Sequence, residues 1–216
     1  MAVDWNWISG PDIEGESTYE TGYVPTDTSG FTVGSFDIGQ HSKEDVRRIL
    51  QSYSNKLAGG GRSVGAIRRD LLDKVSPFAK DSLDVVKYGT REARDARAKQ
   101  VSFKKEDIAY LTAAKRYEFE TELTARKGWD ELDDRTQTVL ASIGWQWGTG
   151  KQDDKRNRFE ELWAERGDKV KMEKKLRDMA KEGYTHRRTT EADYINPLPL
   201  PVQEVLDENN KIGQTR

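Results

Sequence analysis

Residues 13–40, IEGESTYETGYVPTDTSGFTVGSFDIGQ, are written in a different code from the rest of the chain. They form the one long segment rich in β-branched, aromatic and glycine residues, whereas most of the chain beyond Gln40 places apolar residues at helical spacing. Between Thr21 and Ile38 the pattern has period two. Phe31 and Val33 alternate with Thr32, so the two apolar side chains are expected to face a core and Thr32 to face the other way. Phe36 and Ile38 alternate with Asp37 in the same manner. Thr32 and Asp37 are an odd number of residues apart, and an unbroken strand would point them to opposite faces. Gly34 permits the bend or bulge that brings both to one side. Tyr23 and Val24 precede Pro25, which marks an edge strand or a strand end. Asp27-Thr28-Ser29-Gly30 is a turn cluster.

Upstream, Trp5, Trp7 and Ile8 carry more aromatic surface than a frayed terminus needs and are expected to plug a core. Gly10-Pro11 interrupts any helix, with Pro11 suited to the first position of a short turn, and Gly15 leaves Glu14 at the end of an element. Downstream, Ser42 with Asp45 at the third helical position is a capping-box variant, followed by Val46, Ile49, Leu50 and Tyr53 at helical spacing. After the break at Gly59-Gly60-Gly61, a second helix is expected from Ser63 to Lys74, stopped before Pro77. The 78–101 stretch is ambiguous apart from a charged helical run from Thr90 to Lys99. Ser102 is expected to cap a long helix carrying Ile108, Leu111, Phe119 and Leu123. Asp133 or Asp134 caps the next, with Val139, Leu140, Ile143 and Trp147 along its stripe. Two helices follow, through Phe159, Leu162 and Trp163 and through Leu176 and Met179, and a last one runs from about His186 to Ile195. The expected architecture is α+β and mostly α. A small β lobe at about 16–41 would form one wall of a cleft and a helical lobe at about 42–196 the other. Together they make one domain over 1–196, with a polar tail at 197–216.

Composition removes several function classes. In 216 residues, charged residues make up 34% but nearly cancel at −2, which argues against nucleic acid, whose phosphates demand an excess of Lys and Arg. With no cysteine there is no disulfide framework and no thiolate metal site, and 2 histidines cannot build a zinc site without carboxylate help. No stretch approaches the ~20 apolar residues of a membrane span, and no basic region followed by an apolar run opens the chain. A soluble chain, not exported by a signal peptide of its own, is the expectation.

Chemistry concentrates in three residues of the opening stretch. Glu14, between Ile13 and Gly15 and near tryptophans, is placed to be partly desolvated, which raises a carboxyl pKa and keeps a proton available for donation. Glycoside hydrolysis needs such an acid together with a second group that activates water or stabilises the oxocarbenium-like centre. Asp37 fits the base, with Thr32 hydrogen-bonding the same water. Each also has an ordinary explanation, as a surface charge or as a threonine present for β propensity. Asp12, Glu16 and Glu20 remain rival acids on composition alone.

The series Ile13-Glu14-Gly15, Thr21-Gly22-Tyr23-Val24-Pro25, Ser29-Gly30-Phe31-Thr32-Val33-Gly34 and Phe36-Asp37-Ile38-Gly39-Gln40 resembles the N-terminal signature of the pesticin-type muramidases. These are relatives of the phage lysozymes, found in bacteriocins, secreted effectors and phage endolysins. Later, Gln137-Thr138-Val139-Leu140-Ala141-Ser142 with Gln146-Trp147-Gly148 resembles a helix of that family. Arg187-Arg188-Thr189-Thr190-Glu191-Ala192 resembles the start of the final helix in phage-type lysozymes. The resemblance implies Glu14 as catalytic acid, Thr32 and Asp37 as the catalytic threonine and aspartate, and Arg187 as the arginine that pairs with the acid. Two departures stand out. The run from Thr32 to Asp37 is one residue shorter than is common in the family, and Gly10-Pro11 breaks a usually continuous helix leading to the acid.

With that resemblance, Gln40 and Gln146 are candidate ligands for sugar hydroxyls or N-acetyl groups, Gln146 having a helix-contact role as its alternative. Trp145 and Trp147 cannot both face a core, so one of them, Trp145, is the candidate for stacking on sugar. His41 reads as a loop residue, and 78–126 receives no function. The implied activity is an inverting muramidase that cleaves the MurNAc–GlcNAc β-1,4 bond of peptidoglycan, acting as a monomer with no cofactor and no metal. Its implied partners are glycan strands, not nucleic acid. The implied setting is a phage endolysin made in the bacterial cytoplasm and acting in the periplasm after release. An injected effector or bacteriocin with the same activity, a chitin-type substrate and a peptidoglycan-binding protein without catalysis are the alternatives.

Overall fold

The computed structural model describes residues 3–10, 13, 20–27, 29–59, 67–82, 89–150 and 157–196. Glu14 and the Pro11 turn, the expected helix start at Ser63, the 83–88 stretch and the 197–216 tail lie outside these residues. The described residues are mostly helical with one two-stranded sheet, as the α+β, mostly α expectation has it. The chain divides into two compact units, residues 15–127 and residues 1–14 with 128–216, a division made elsewhere than at 41/42.

In the 15–127 unit, β1 (Thr32–Val33) and β2 (Phe36–Asp37) form an antiparallel hairpin, followed by a 3-10 turn at Ile38–Gln40. Helices α2 (Lys43–Leu57), α3 (Arg69–Val75), α4 (Arg91–Ala98) and α5 (Lys105–Thr124) complete it. The Ser42 start signal reads correctly, and Thr90, where the charged run is expected to begin, caps α4. Ser42 Oγ accepts the Asp45 N–H at 3.1 Å, and Thr90 Oγ1 accepts that of Ala93 at 3.2 Å. Ser102 is not a cap. It forms an isolated antiparallel bridge with Thr21, and α5 starts instead after Lys104, whose N–H donates to Asp107 Oδ2 at 3.3 Å. A serine two residues before a helix can serve either role, and here the pairing across the chain takes it. The core joins both kinds of element: Val33, Phe36 and Ile38 from the hairpin region, Val46, Ile49 and Leu50 from α2, and Leu111 and Ala114 from α5. Burying each large apolar side chain is worth roughly 1.5–3 kcal/mol, so these contacts dominate the unit's stability. Phe31 stacks on Phe78 with ring centroids 3.9 Å apart.

In the other unit, α6 (Asp134–Trp147) is the central helix, buried on nearly every side from Thr136 to Gly144. Asp133 caps it, accepting from the N–H groups of Arg135 and Thr136. Around it lie α7 (Arg158–Trp163) and the paired helices α8 (Lys169–Glu182) and α9 (Thr185–Ile195). One turn of helix near the N-terminus, α1 (Trp5–Ile8), also packs on α6. Ile8 is buried, Trp5 meets Trp145 edge-on at 5.1 Å, and Trp7 stacks on Tyr194 at 4.1 Å. Ile8 is thus the residue that enters the core, while Trp5 and Trp7 stay half-buried on the rings of α6 and α9.

Candidate active site

The hairpin positions Thr32 and Asp37 by its turn. Gly34 and Ser35 are its two loop residues, and only Gly34 has a positive φ, +57°, as in a type II′ turn. A tight turn of this kind needs no bulge. It folds β2 back on β1 so that Thr32 lies directly across from Asp37, which places both on one face. The expectation of one face holds, although the device is a turn and not a bulged strand. Thr32 donates its N–H to the Tyr23 carbonyl at 2.8 Å, and its own carbonyl accepts the Tyr23 N–H at 3.0 Å. Thr32 and Asp37 are therefore a non-hydrogen-bonded pair, the closer kind, with Cα atoms typically ~4.5 Å apart.

Thr32 is buried, contrary to a strand residue turned away from the core, because the Tyr23 segment pairs along its other edge. Its hydroxyl donates a long 3.4 Å contact to the Gly30 carbonyl, leaving its lone pairs as acceptors. Asp37 is half-buried, and its Oδ1 is buried without a hydrogen-bond partner among the described residues. Burial raises its pKa from the usual 3.8 to about 6, against the opposing pull of the Gly30, Gly39 and Gln40 backbone N–H groups and of Lys115. The loops flanking the pair touch backbone to backbone. A Cβ on Gly30 would lie 2.3 Å from the Gly39 Cα, so neither position has room for a side chain.

Charged groups that sequence reasoning leaves without a role gather in this unit. Lys115 and Glu118, one turn apart on α5, pair at 2.6 Å, and Arg48 of α2 reaches Glu118 at 2.8 Å. His41, read as a loop residue, is half-buried with its ring edge-on to Phe36 at 5.5 Å. Burial and Lys115 together lower its pKa from 6.5 to about 4, so it is a neutral imidazole at pH 7. The only signal in the sequence is the i,i+3 spacing of Lys115 and Glu118, which is shared by any solvated helix face.

The remaining candidates fall elsewhere. Gln40 is exposed at the end of the 3-10 turn after Asp37. In the other unit, Arg187 lies in a buried network: its Nε reaches Glu191 Oε1 at 3.2 Å, and its Nη2 donates to the Ser142 carbonyl and hydroxyl at 2.9 and 3.0 Å. The Ser142 hydroxyl donates in turn to Glu191. Arg188, fully buried, lies 2.8 Å from the other Glu191 oxygen and donates to Gln146 Oε1 at 2.7 Å. Burial pushes the Glu191 carboxyl up, against the pull of Arg188 and Arg187. Gln146 thus ties α6 to α9. Trp145 is half-buried against Trp5, while Trp147 has the guanidinium carbons of Arg158 and Arg188 4.3 and 4.5 Å from its ring centre. Among the described residues no cluster of His, Asp or Glu has metal-site form, and no helix is long and apolar enough to cross a membrane. Compared with known proteins, the chain matches no family model and no curated protein matches it.

Proposed function

We propose that the chain is a muramidase, a glycoside hydrolase that cleaves the β-1,4 MurNAc–GlcNAc bond of peptidoglycan with inversion. The fold this reading implies is lysozyme-like. The motifs around Glu14, Thr32, Asp37 and Arg187 support a peptidoglycan-cleaving reading shared by phage endolysins and injected effectors, with the endolysin as the proposed setting.

The observation that carries the reading is the cross-strand pair of a buried threonine hydroxyl and a half-buried carboxylate whose pKa lies near 6. A base works best when its pKa is close to the operating pH, since it is then both ionised and strong enough to take a proton. In the proposed reaction a water oxygen bonds to the anomeric carbon while Asp37 takes the water's proton. Thr32 accepts a hydrogen bond from the water's other hydrogen, which stays on the new anomeric hydroxyl. The glycosidic C–O bond breaks and Glu14 gives its proton to the departing oxygen. Glu14 enters on sequence alone.

Purified cell walls, with reducing ends and free amines measured separately, test the reaction class. New reducing ends without new amines are expected, and NMR should show the α-anomer as first product. New amines, or an initial β-anomer, would refute the proposal. Glu14→Gln is expected to lower the rate by on the order of 10²–10⁴ with the fold intact, the usual loss when general acid catalysis is removed.

A further inference from the structure

Helix α4 holds the backbone that leads into β1 by a row of side-chain hydrogen bonds. Asp95 Oδ1 accepts the Val24 N–H at 3.1 Å, and Arg91 Nη2 donates to the Pro25 carbonyl at 2.9 Å. One turn along, Arg94 donates from Nη2 to the Asp27 carbonyl at 2.7 Å and from Nη1 to the Ser29 carbonyl at 2.8 Å. A charged donor makes a shorter and stronger bond than a neutral one, and the rigid fork of a guanidinium fixes direction as well as distance. Arg94 is half-buried, and its Nε is buried without a hydrogen-bond partner among the described residues. The plane of this guanidinium is therefore set by the two carbonyls and not by its third nitrogen.

The Ser29 carbonyl shares its peptide group with the Gly30 N–H. A trans peptide is planar, with C=O and N–H on opposite edges, so a bond that fixes the one fixes the other. A charged donor on the carbonyl also polarises the group and strengthens its N–H as a donor. Gly30 touches both members of the cross-strand pair. Its carbonyl accepts the Thr32 hydroxyl at 3.4 Å, and its N–H hydrogen-bonds to the Asp37 carboxylate. The residue is also seated against the loop that follows Asp37, since a Cβ on it would lie 2.3 Å from the Gly39 Cα. That loop is tied back in turn, the Gly39 N–H donating to the Phe31 carbonyl at 3.1 Å.

We propose that Arg94 is a positioning residue for the Thr32–Asp37 pair: its forked bonds to the Asp27 and Ser29 carbonyls fix the Ser29–Gly30 peptide, and that peptide orients the Asp37 carboxylate. The catalytic part of this statement rests on the muramidase reading; the hold of Arg94 on the peptide does not. Arg91 and Asp95 secure the same segment further upstream, at Val24 and Pro25, where the backbone is pairing through Tyr23 with the far edge of β1. Arg94 alone of these three reaches the peptide that meets the pair. The Gly39 and Gln40 N–H groups and Lys115 also act on Asp37, and every variant in the test retains them.

The test is the Gly30 amide proton, followed by NMR through the ionisation of Asp37 in the wild type, Arg94→Gln, Arg94→Lys and Arg91→Gln. An N–H bonded to a carboxylate moves downfield as that group ionises and the bond becomes charge-assisted, so the wild-type signal should move with Asp37. Arg94→Gln should lose most of this movement. Its kcat on soluble glycan fragments should fall by on the order of 10–100-fold with KM little changed, as slight misplacement of a reacting group does. Arg94→Lys, with a point donor in place of a fork, should fall between the two. Arg91→Gln releases the Val24 and Pro25 carbonyls, leaves those of Asp27 and Ser29 held, and should keep the wild-type response. Circular dichroism confirms that each variant is folded, and Arg94→Lys carries the test if Arg94→Gln is not. A wild-type Gly30 signal that ignores Asp37, or an unchanged response in the folded Arg94 variant, overturns the proposal, and so does an equal loss in Arg91→Gln. A response lost in Arg94→Gln while the wild type hydrolyses nothing would refute the muramidase reading and the catalytic role together, leaving the hold of Arg94 on the Gly30 peptide established.

Discussion

At the scale of the residue, a carboxylate that ionises only near pH 6 is costly to keep in a fold, and Asp37 carries that cost. Its pKa of about 6 lies above the ordinary 3.8, so the folded protein binds this proton more tightly than the unfolded chain. The resulting stability is fully present below pH 3.8 and is lost as pH rises through about 6. A shift of this size corresponds to at most ~3 kcal/mol, less the share that solvent screens from a half-buried group. Asp37→Asn removes the charge. It should therefore raise the melting temperature above pH 6, leave it nearly unchanged below pH 4, and abolish cell-wall hydrolysis. Melting curves of both proteins from about pH 4 to about pH 8 measure the difference, and a variant less stable than wild type at pH 8 would contradict the assigned burial cost. His41 works in the opposite sense. Its pKa of about 4 lies below 6.5, so its contribution is lost as pH falls between those values, and it cancels out of the comparison because both proteins retain it. The identities of Thr32 and Asp37 were legible in the sequence because they interrupt an apolar alternation. Their environment was not, because desolvation depends on α5 and the loops, which only tertiary packing brings near.

At the scale of the element, the hairpin turn sets the register on which the site depends. Helix starts at Ser42, Thr90 and Asp133 were readable since a cap is made by a side chain within three residues. The pairing of Thr32 with Asp37 is decided by which residues occupy the turn, and a two-residue loop and a bulge fit the same pattern of alternation. Ser102 misleads for the same reason, its partner Thr21 being remote in sequence. Lys115 and Glu118 give no signal because an i,i+3 ion pair looks the same whether it faces water or a hairpin. Gly34 is the position where the turn is most exposed to test. Its φ of +57° is unfavourable for any residue with a Cβ, and the added carbon would lie 2.4 Å from Thr112 Oγ1. Gly34→Ala should destabilise the protein by about 1–3 kcal/mol, from left-handed backbone strain and the contact with α5 together. It should lower activity further than the stability loss explains, since the turn fixes the Thr32–Asp37 pair. Thr112→Ala removes the obstructing hydroxyl and should recover part of the stability of Gly34→Ala in the double variant, whereas purely additive effects in chemical denaturation would show that α5 is not the obstacle.

At the scale of the whole molecule, the N-terminal segment belongs with the last helices and not with the hairpin that comes after it in sequence. The aromatic density of Trp5, Trp7 and Ile8 announced burial, while the partner was unreadable because it lies more than a hundred residues away. Among the described residues, the attachment includes the Asp4 N–H donating to Thr138 Oγ1 at 3.0 Å, Trp5 edge-on to Trp145, Trp7 stacked on Tyr194 and buried Ile8. Burying an indole against one ring and the surface of α6 is worth less than the ~3–5 kcal/mol of a full core Trp→Ala change, because Trp7 is only half-buried. A loss of about 2 kcal/mol is therefore expected for Trp7→Ala, including the ~0.5–1.5 kcal/mol of an aromatic pair. The core cluster of the 15–127 unit is built from that unit's own residues, so the loss should not be shared evenly along the chain. Amides of α6 and α9 should exchange hydrogen faster in Trp7→Ala, by about the factor that 2 kcal/mol implies, roughly thirty-fold, wherever exchange goes through opening of that unit. Amides of α2 and α5, whose core is built from Val46, Ile49, Leu50, Leu111 and Ala114, should keep their protection. Equal acceleration across both sets would mean that the chain unfolds as one cooperative body and that the N-terminal turn supports all of it.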